Sequence, residues 1–231
     1  GEEVVINLPP SEFTVRKPEV VITSASVQNL YYQCGNTINV DVPALGDLYN
    51  PKFTASQAKV VPSSSDKKKV TIVPSGRTCV LGVSSITNGQ TIKIDDVKYK
   101  VIKPPKADLE LLVNGKLYNG AAPISKKSKT VLRVKPDSDF KAALPKDARY
   151  MISSVKLLSQ RSLGAPATVG SYSGNGKDAT KGIPMSLGSK LKSDAPGTKI
   201  FFKIDKVYRI NFQNKKIPVN FSEQALYIGA I

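Results

Sequence analysis

Apolar and polar positions alternate in short runs along the chain, and Thr37-Ile38-Asn39-Val40-Asp41-Val42 is the clearest of them. Ile38, Val40 and Val42 fall on one face and Thr37, Asn39 and Asp41 on the other, the period of two that a half-buried strand requires. Residues 4–8, 19–23, 69–73, 91–93 and 98–102 are rich in Val, Ile and Thr and predict further strands, because branched side chains suit a pleated surface. The second half predicts strands at 109–113, 130–134, 150–158, 199–204, 207–212 and 217–221, and a last one at 225–228. Asn88-Gly89, Asn114-Gly115 and Asn119-Gly120 mark tight turns, since both residue types tolerate positive φ. Helical pattern is confined to short turns at 186–191 and 139–144. Residues 170–182, with four glycines among Ser, Asn and Lys, read as a flexible loop.

Strands separated by turn signals at intervals of about ten residues predict an all-β fold of tandem antiparallel β-sandwich, immunoglobulin-like domains with little helix. Two seams divide it. Pro9-Pro10, followed by Arg16-Lys17-Pro18, marks residues 1–18 as the last strand of a preceding domain plus a linker. Pro104-Pro105 is a short, stiff linker between a β-sandwich at 19–104 and a larger one at 105–231. A chain that starts at Gly1 and moves directly into a strand is expected to be a piece of a longer protein.

Charge sharpens the division. Residues 1–103 hold 12 Lys/Arg against 9 Asp/Glu, whereas 104–231 hold 22 against 9, so an acidic partner is expected to meet the second domain. The basic runs there supply the candidate contacts: Lys126, Lys127 and Lys129, Lys190 and Lys192, and Lys215 and Lys216. Nucleic acid is not expected, because few aromatics accompany the lysines and no groove-reading element is evident. Lysine, the commoner cation here, acts as a point charge with little geometric selectivity.

Enzymatic chemistry has little to work with. The chain contains no histidine, which removes the commonest general base and metal ligand, and no cofactor motif is present. The carboxylates at Asp95-Asp96 and at Asp137 and Asp139 are expected in turns; an acid/base pair would require Asp137 or Asp139 to meet Glu223 in one cleft. The two cysteines, Cys34 and Cys79, are too few for a zinc site, leaving a disulfide or two reduced core thiols. A Cys34–Cys79 bridge is the expectation; in an oxidising compartment it would stabilise the fold by roughly 3 to 4 kcal/mol. No run of about 18 apolar residues is long enough to span a bilayer.

Three stretches carry a family resemblance. Val27-Gln28-Asn29-Leu30-Tyr31-Tyr32 runs through Gly35-Asn36 to the alternating strand and Pro43. Tyr99-Lys100-Val101-Ile102-Lys103-Pro104-Pro105 leads through Ala107 to Asn114-Gly115-Lys116. Residues 149–155 and Pro196-Gly197-Thr198-Lys199-Ile200-Phe201-Phe202 follow in the same order. Together they resemble the C-terminal periplasmic region of the GldM (PorM) family of gliding-motility and type IX secretion proteins.

The resemblance implies a non-enzymatic, homodimeric periplasmic scaffold, anchored in the inner membrane by a segment absent from this chain. It would join a proton-driven motor partner in that membrane to an outer-membrane-associated ring lipoprotein complex, the basic domain meeting the ring. The competing reading is an extracellular, adhesin-like β-sandwich module that grips acidic polymers; it predicts a monomer with salt-sensitive binding.

Overall fold

The computed structural model describes residues 17–24, 29–120, 122–161, 163–174, 179–220 and 225–230, so the strand expected at 4–8 lies outside it. The first half is built from β1 (Val21–Thr23), β2 (Asn29–Tyr31), β3 (Asn36–Asp41), β4 (Pro51–Ala55), β5 (Ala58–Pro62), β6 (Lys69–Pro74), β7 (Thr78–Thr87) and β8 (Gln90–Ile102). These form two four-stranded sheets, in the orders β1-β3-β6-β5 and β2-β8-β7-β4. Every pairing is antiparallel except β2 with β8, which run parallel. Their facing sides share one core in which Ile38, Val40 and Val42 are buried beside Leu30, Ile72 and Leu81, while Thr37 is exposed. The alternation read from the sequence is the alternation of burial.

The second half contains β9 (Asp108–Val113), β10 (Lys116–Leu117), β11 (Lys129–Lys135), helix α1 (Ser138–Ala143), β12 (Arg149–Gln160), β13 (Ala167–Ser173), β14 (Ile183–Ser186), helix α2 (Leu187–Lys190), β15 (Lys199–Ile210), β16 (Lys216–Val219) and β17 (Ala225–Ala230). One sheet has the order β10-β9-β11-β14; the other has β13-β12-β15-β16, with β17 beside the first part of β15. Leu111, Leu132, Ile152, Leu157, Ile183 and Phe202 fill the core between them. The all-β, antiparallel sandwich class is therefore observed in both halves.

Several elements differ from the sequence reading. The strands expected at 91–93 and 98–102 are one, because β8 passes straight through Asp95 and Asp96, with a register shift opposite Val83/Ser84. Both carboxylates therefore sit on a strand and not in a turn, where Lys17 (3.4 Å from Asp95) and Lys93 (2.6 Å from Asp96) neutralise them. The strands at 199–204 and 207–212 likewise merge into β15. The expected loop at 170–182 begins as the end of β13 and closes with a 3-10 turn at Ala179–Lys181. Asn88-Gly89 and Asn114-Gly115 do take positive φ, and close the β7–β8 and β9–β10 hairpins.

Candidate functional site

The two sandwiches meet in a buried joint. On the first sandwich it is formed by the turn from Tyr31 to Asn36, between β2 and β3, and Asn36 holds that turn in shape. Its buried side chain accepts from Tyr31 N (2.7 Å) and donates to the carbonyls of Tyr31 and Cys34 (both 2.9 Å) and Ile72 (3.2 Å). Gln33 stands at φ 54, and its N–H donates to Pro74 O at 3.0 Å. The turn is thus fixed from both sheets before it touches the second sandwich.

The second sandwich contributes α1, the residues that follow it, and the end of β15. Asp137 caps α1 by accepting from Phe140 N at 2.8 Å, so this carboxylate does the structural work of a helix start. Phe140 is fully buried and packs edge-on against Tyr31, with ring centroids 5.0 Å apart and an interplanar angle of 64°. With Cys34, Leu144 and Ala148 it forms a small apolar cluster drawn from both halves of the chain.

Asp147 is the polar centre of the joint. Its Oδ2 accepts from Gly35 N in the first sandwich (3.1 Å), and its Oδ1 from Phe212 N just beyond β15 (3.2 Å). Arg209, on β15, lies 3.5 Å from the same carboxylate, and both side chains are almost completely buried. The guanidinium also reaches back across the seam, to Cys34 Sγ (3.1 Å), Tyr32 O (3.4 Å) and Gln33 O (3.2 Å). Burial pushes the Asp147 carboxyl above its ordinary value, against the opposing pull of the Gly35 and Phe212 amides and the Arg209 charge. Such a cluster holds the two halves in a defined orientation, because separating them strands a charge or a donor.

The cysteines correct an expectation. Cys34 and Cys79 are both free and buried: Cys34 belongs to the joint, whereas Cys79 packs inside the first sandwich opposite Tyr99 on β8. Lying in separate clusters, they form no bridge. Burial raises the Cys34 thiol to about 12, only partly countered by Arg209.

The seven candidate lysines divide into two groups. Lys126, Lys127, Lys129, Lys190 and Lys192 gather at the end of the second sandwich remote from the joint. There Lys129 pairs with Ser186 at the start of α2, and the Lys126 carbonyl lies against Gly188. Lys126 is partly used, since its ammonium donates to the Asp194 carbonyl, while the other four are exposed. Asp194 is itself buried and neutralised by Arg161 (2.6 Å), so it does not offset the surface charge there. Lys215 and Lys216 sit at the opposite end, on the β15–β16 turn next to the joint. Glu223, the expected partner of Asp137 or Asp139 in an acid pair, lies outside the described residues.

Beside the joint is a cleft of about 540 Å3, lined by the linker residues 103–107, by Tyr32 and Gln33, by Tyr150 and Arg209, and by residues 217–220. Sequence reasoning missed the joint. One signal was available: the alternation of β15 places Arg209 on the inward face with Val207, where a cation requires a buried partner. Asp147 has no comparable mark.

No curated protein matches the chain. Among solved structures, one titled "Crystal structure of Dscam1 isoform 6.9, N-terminal four Ig domains" aligns with a TM-score of 0.26 and 12% identity. It covers 88% of this chain and 50% of that one, so the chain spans about half the length of that structure; the fold assignment rests on the sheets themselves. Residues 19–102 match the family model described as the GldM third domain, a stretch that takes in all eight strands of the first sandwich. Over residues 19–102 the chain is thus similar to the GldM third domain, which supports the resemblance to the C-terminal region of the GldM (PorM) family.

Proposed function

We propose that this chain is a non-enzymatic scaffold of the gliding-motility and type IX secretion machinery, working in the periplasm as a force-transmitting shaft. The GldM third domain supports the assignment to that machinery. The observation that carries the mechanical reading is the joint: Asp147 accepts from one amide in each sandwich while Arg209 spans the seam. Two domains locked by a buried, hydrogen-bonded charge pair pass a load or a twist from one to the other instead of bending between them. In the full protein, a homodimer would link an inner-membrane motor partner to an outer-membrane-associated ring lipoprotein complex. The ring would be met by the exposed lysines at the remote end, Lys127, Lys129, Lys190 and Lys192.

Those same lysines favour one other reading, a monomeric module that grips acidic polymers. Light scattering combined with small-angle X-ray scattering, at low and moderate salt, separates the two. A rod near twice the chain mass at both salts supports the shaft. A compact monomer that binds heparin in a salt-sensitive way overturns it.

A further inference from the structure

We propose that the cleft beside the joint is a docking groove for an extended segment of a partner protein in which carboxylates alternate with apolar side chains. Backbone chemistry points to a peptide. Asn211 N donates to Lys215 O (3.0 Å), which sets the phase of the β15–β16 ladder: Arg209 with Ile217, and Val207 with Val219, are the hydrogen-bonded pairs. Lys216 and Pro218 consequently turn their backbone groups away from β15, and Asn220, past the end of the ladder, enters no backbone–backbone hydrogen bond among the described residues. Pro218 has no N–H to offer, so this outer edge resists casual pairing with a full strand but keeps the Lys216 and Pro218 carbonyls and the Asn220 amide for a short one. Across the cleft, Lys103, Lys106 and Ala107 enter no backbone–backbone hydrogen bond among the described residues. A groove with open backbone groups on both sides is what a peptide added to a sheet edge requires.

The side chains set the occupant's character. Ile217, Val219, Pro104 and Pro105 give the groove apolar walls, and its volume of about 540 Å3 falls within the usual range for a bound ligand. Lys103 and Lys106 stand exposed on one side and Lys216 adjoins the other, while no Asp or Glu among the described residues lines the cleft. Arg209 at the floor is already committed to Asp147, Cys34 and the Tyr32 and Gln33 carbonyls, so the exposed rim lysines are the groups left to meet carboxylates. A segment seated here touches both sandwiches and the linker at once, a position distinct from the remote-end lysines.

The test is a titration of the 15N-labelled 231-residue chain with a capped hexapeptide of alternating valine and glutamate, followed by amide chemical shifts. Saturable shifts confined to Lys103, Lys106, Ile217, Val219 and Asn220 are expected. The K103E/K106E double variant should weaken the peptide by about tenfold, as two reversed rim charges imply. K190E/K192E should leave it unchanged, and both variants keep the wild-type spectrum away from their own sites. Shifts centred on the remote lysines, equal shifts with a valine–lysine hexapeptide, or no shifts at all would overturn the proposal.

Discussion

A β-carbon added at Gly35 would stand 2.6 Å from Cδ1 of Phe212, closer than non-bonded carbons come. The turn of the first sandwich and the chain leaving β15 therefore approach as nearly as a residue without a side chain permits. Gly35→Ala should cost about 1 to 3 kcal/mol by forcing the ring aside. In small-angle scattering it should also broaden the distribution of angles between the sandwiches. An unchanged denaturation midpoint and scattering curve would show that the ring yields freely and that the contact does not set the angle.

Asp147→Leu leaves Arg209 buried without its carboxylate and removes the acceptor for Gly35 and Phe212. A loss of about 3 to 5 kcal/mol is expected in urea denaturation. Adding Arg209→Met should recover part of that loss, since the stranded charge goes with it. If the two changes simply add, the pair is not coupled and the joint depends on packing alone.

Both thiols should resist alkylation in the folded chain, Cys34 most of all because its thiol is held at about 12. In guanidinium two thiols should become reactive per chain. A protein that exposes none on unfolding and gains two only after reduction would carry the bridge that the structure lacks.

Tyr49 and Tyr99 bury their hydroxyls in the first core without a hydrogen-bond partner among the described residues, and burial raises both to about 12. Tyr99→Phe and Tyr49→Phe should be neutral or should stabilise by about 1 to 2 kcal/mol, because an unsatisfied polar group is removed while the ring stays. Thermal denaturation decides it. A clear drop in midpoint would reveal a buried water or other partner for that hydroxyl.

Acid stability is expected to divide by carboxylate. Asp41 is lowered, chiefly by its hydrogen bond from Lys68; Glu110 is pushed up by burial but ends lowered, because Arg133 and Lys135 outweigh it. Both bind fewer protons folded than unfolded, so their contribution is present above the ordinary carboxylate range and fades as pH falls through their lowered values. Asp147 has the opposite sign: raised by burial, it favours the folded state at low pH and gives that up as pH rises through its raised value. Urea midpoints between roughly pH 5 and pH 2 should therefore flatten in Glu110→Gln and steepen in Asp147→Asn. The same slope in both variants would contradict this assignment.

Where burial alternates strictly, the sequence was legible. β3 reads directly as buried Ile38 and Val40 against exposed Thr37, and the helix at 139–144 appears as α1 within a residue. The β4–β5 hairpin was not legible because its turn places Gln57, and no Gly or Asn, at φ 51. β7 was hidden by Gly82, Ser84 and Ser85; yet Gly82 is there because Thr54 Oγ1 would lie 2.5 Å from a β-carbon, and Ser85 bonds to Asn50. The joint escaped for a different reason. Gly35 and Asp147 are 112 residues apart and Cys34 and Arg209 are 175 apart, so no local pattern connects them. Cysteine spacing misled in the same way, because separation along the chain carries no information about which cluster each thiol faces.

Among the described residues one pairing is parallel, that of β2 with β8, and it has a mechanical consequence. β2 enters the first sandwich near its start and β8 leaves toward the linker, with Asn29, Leu30 and Tyr31 in register with Lys100, Val101 and Ile102. Tension applied between residue 17 and residue 103 draws these two strands in opposite directions along their common axis. The bonds between them are then sheared together, where a hairpin pulled from its open end would unzip one rung at a time.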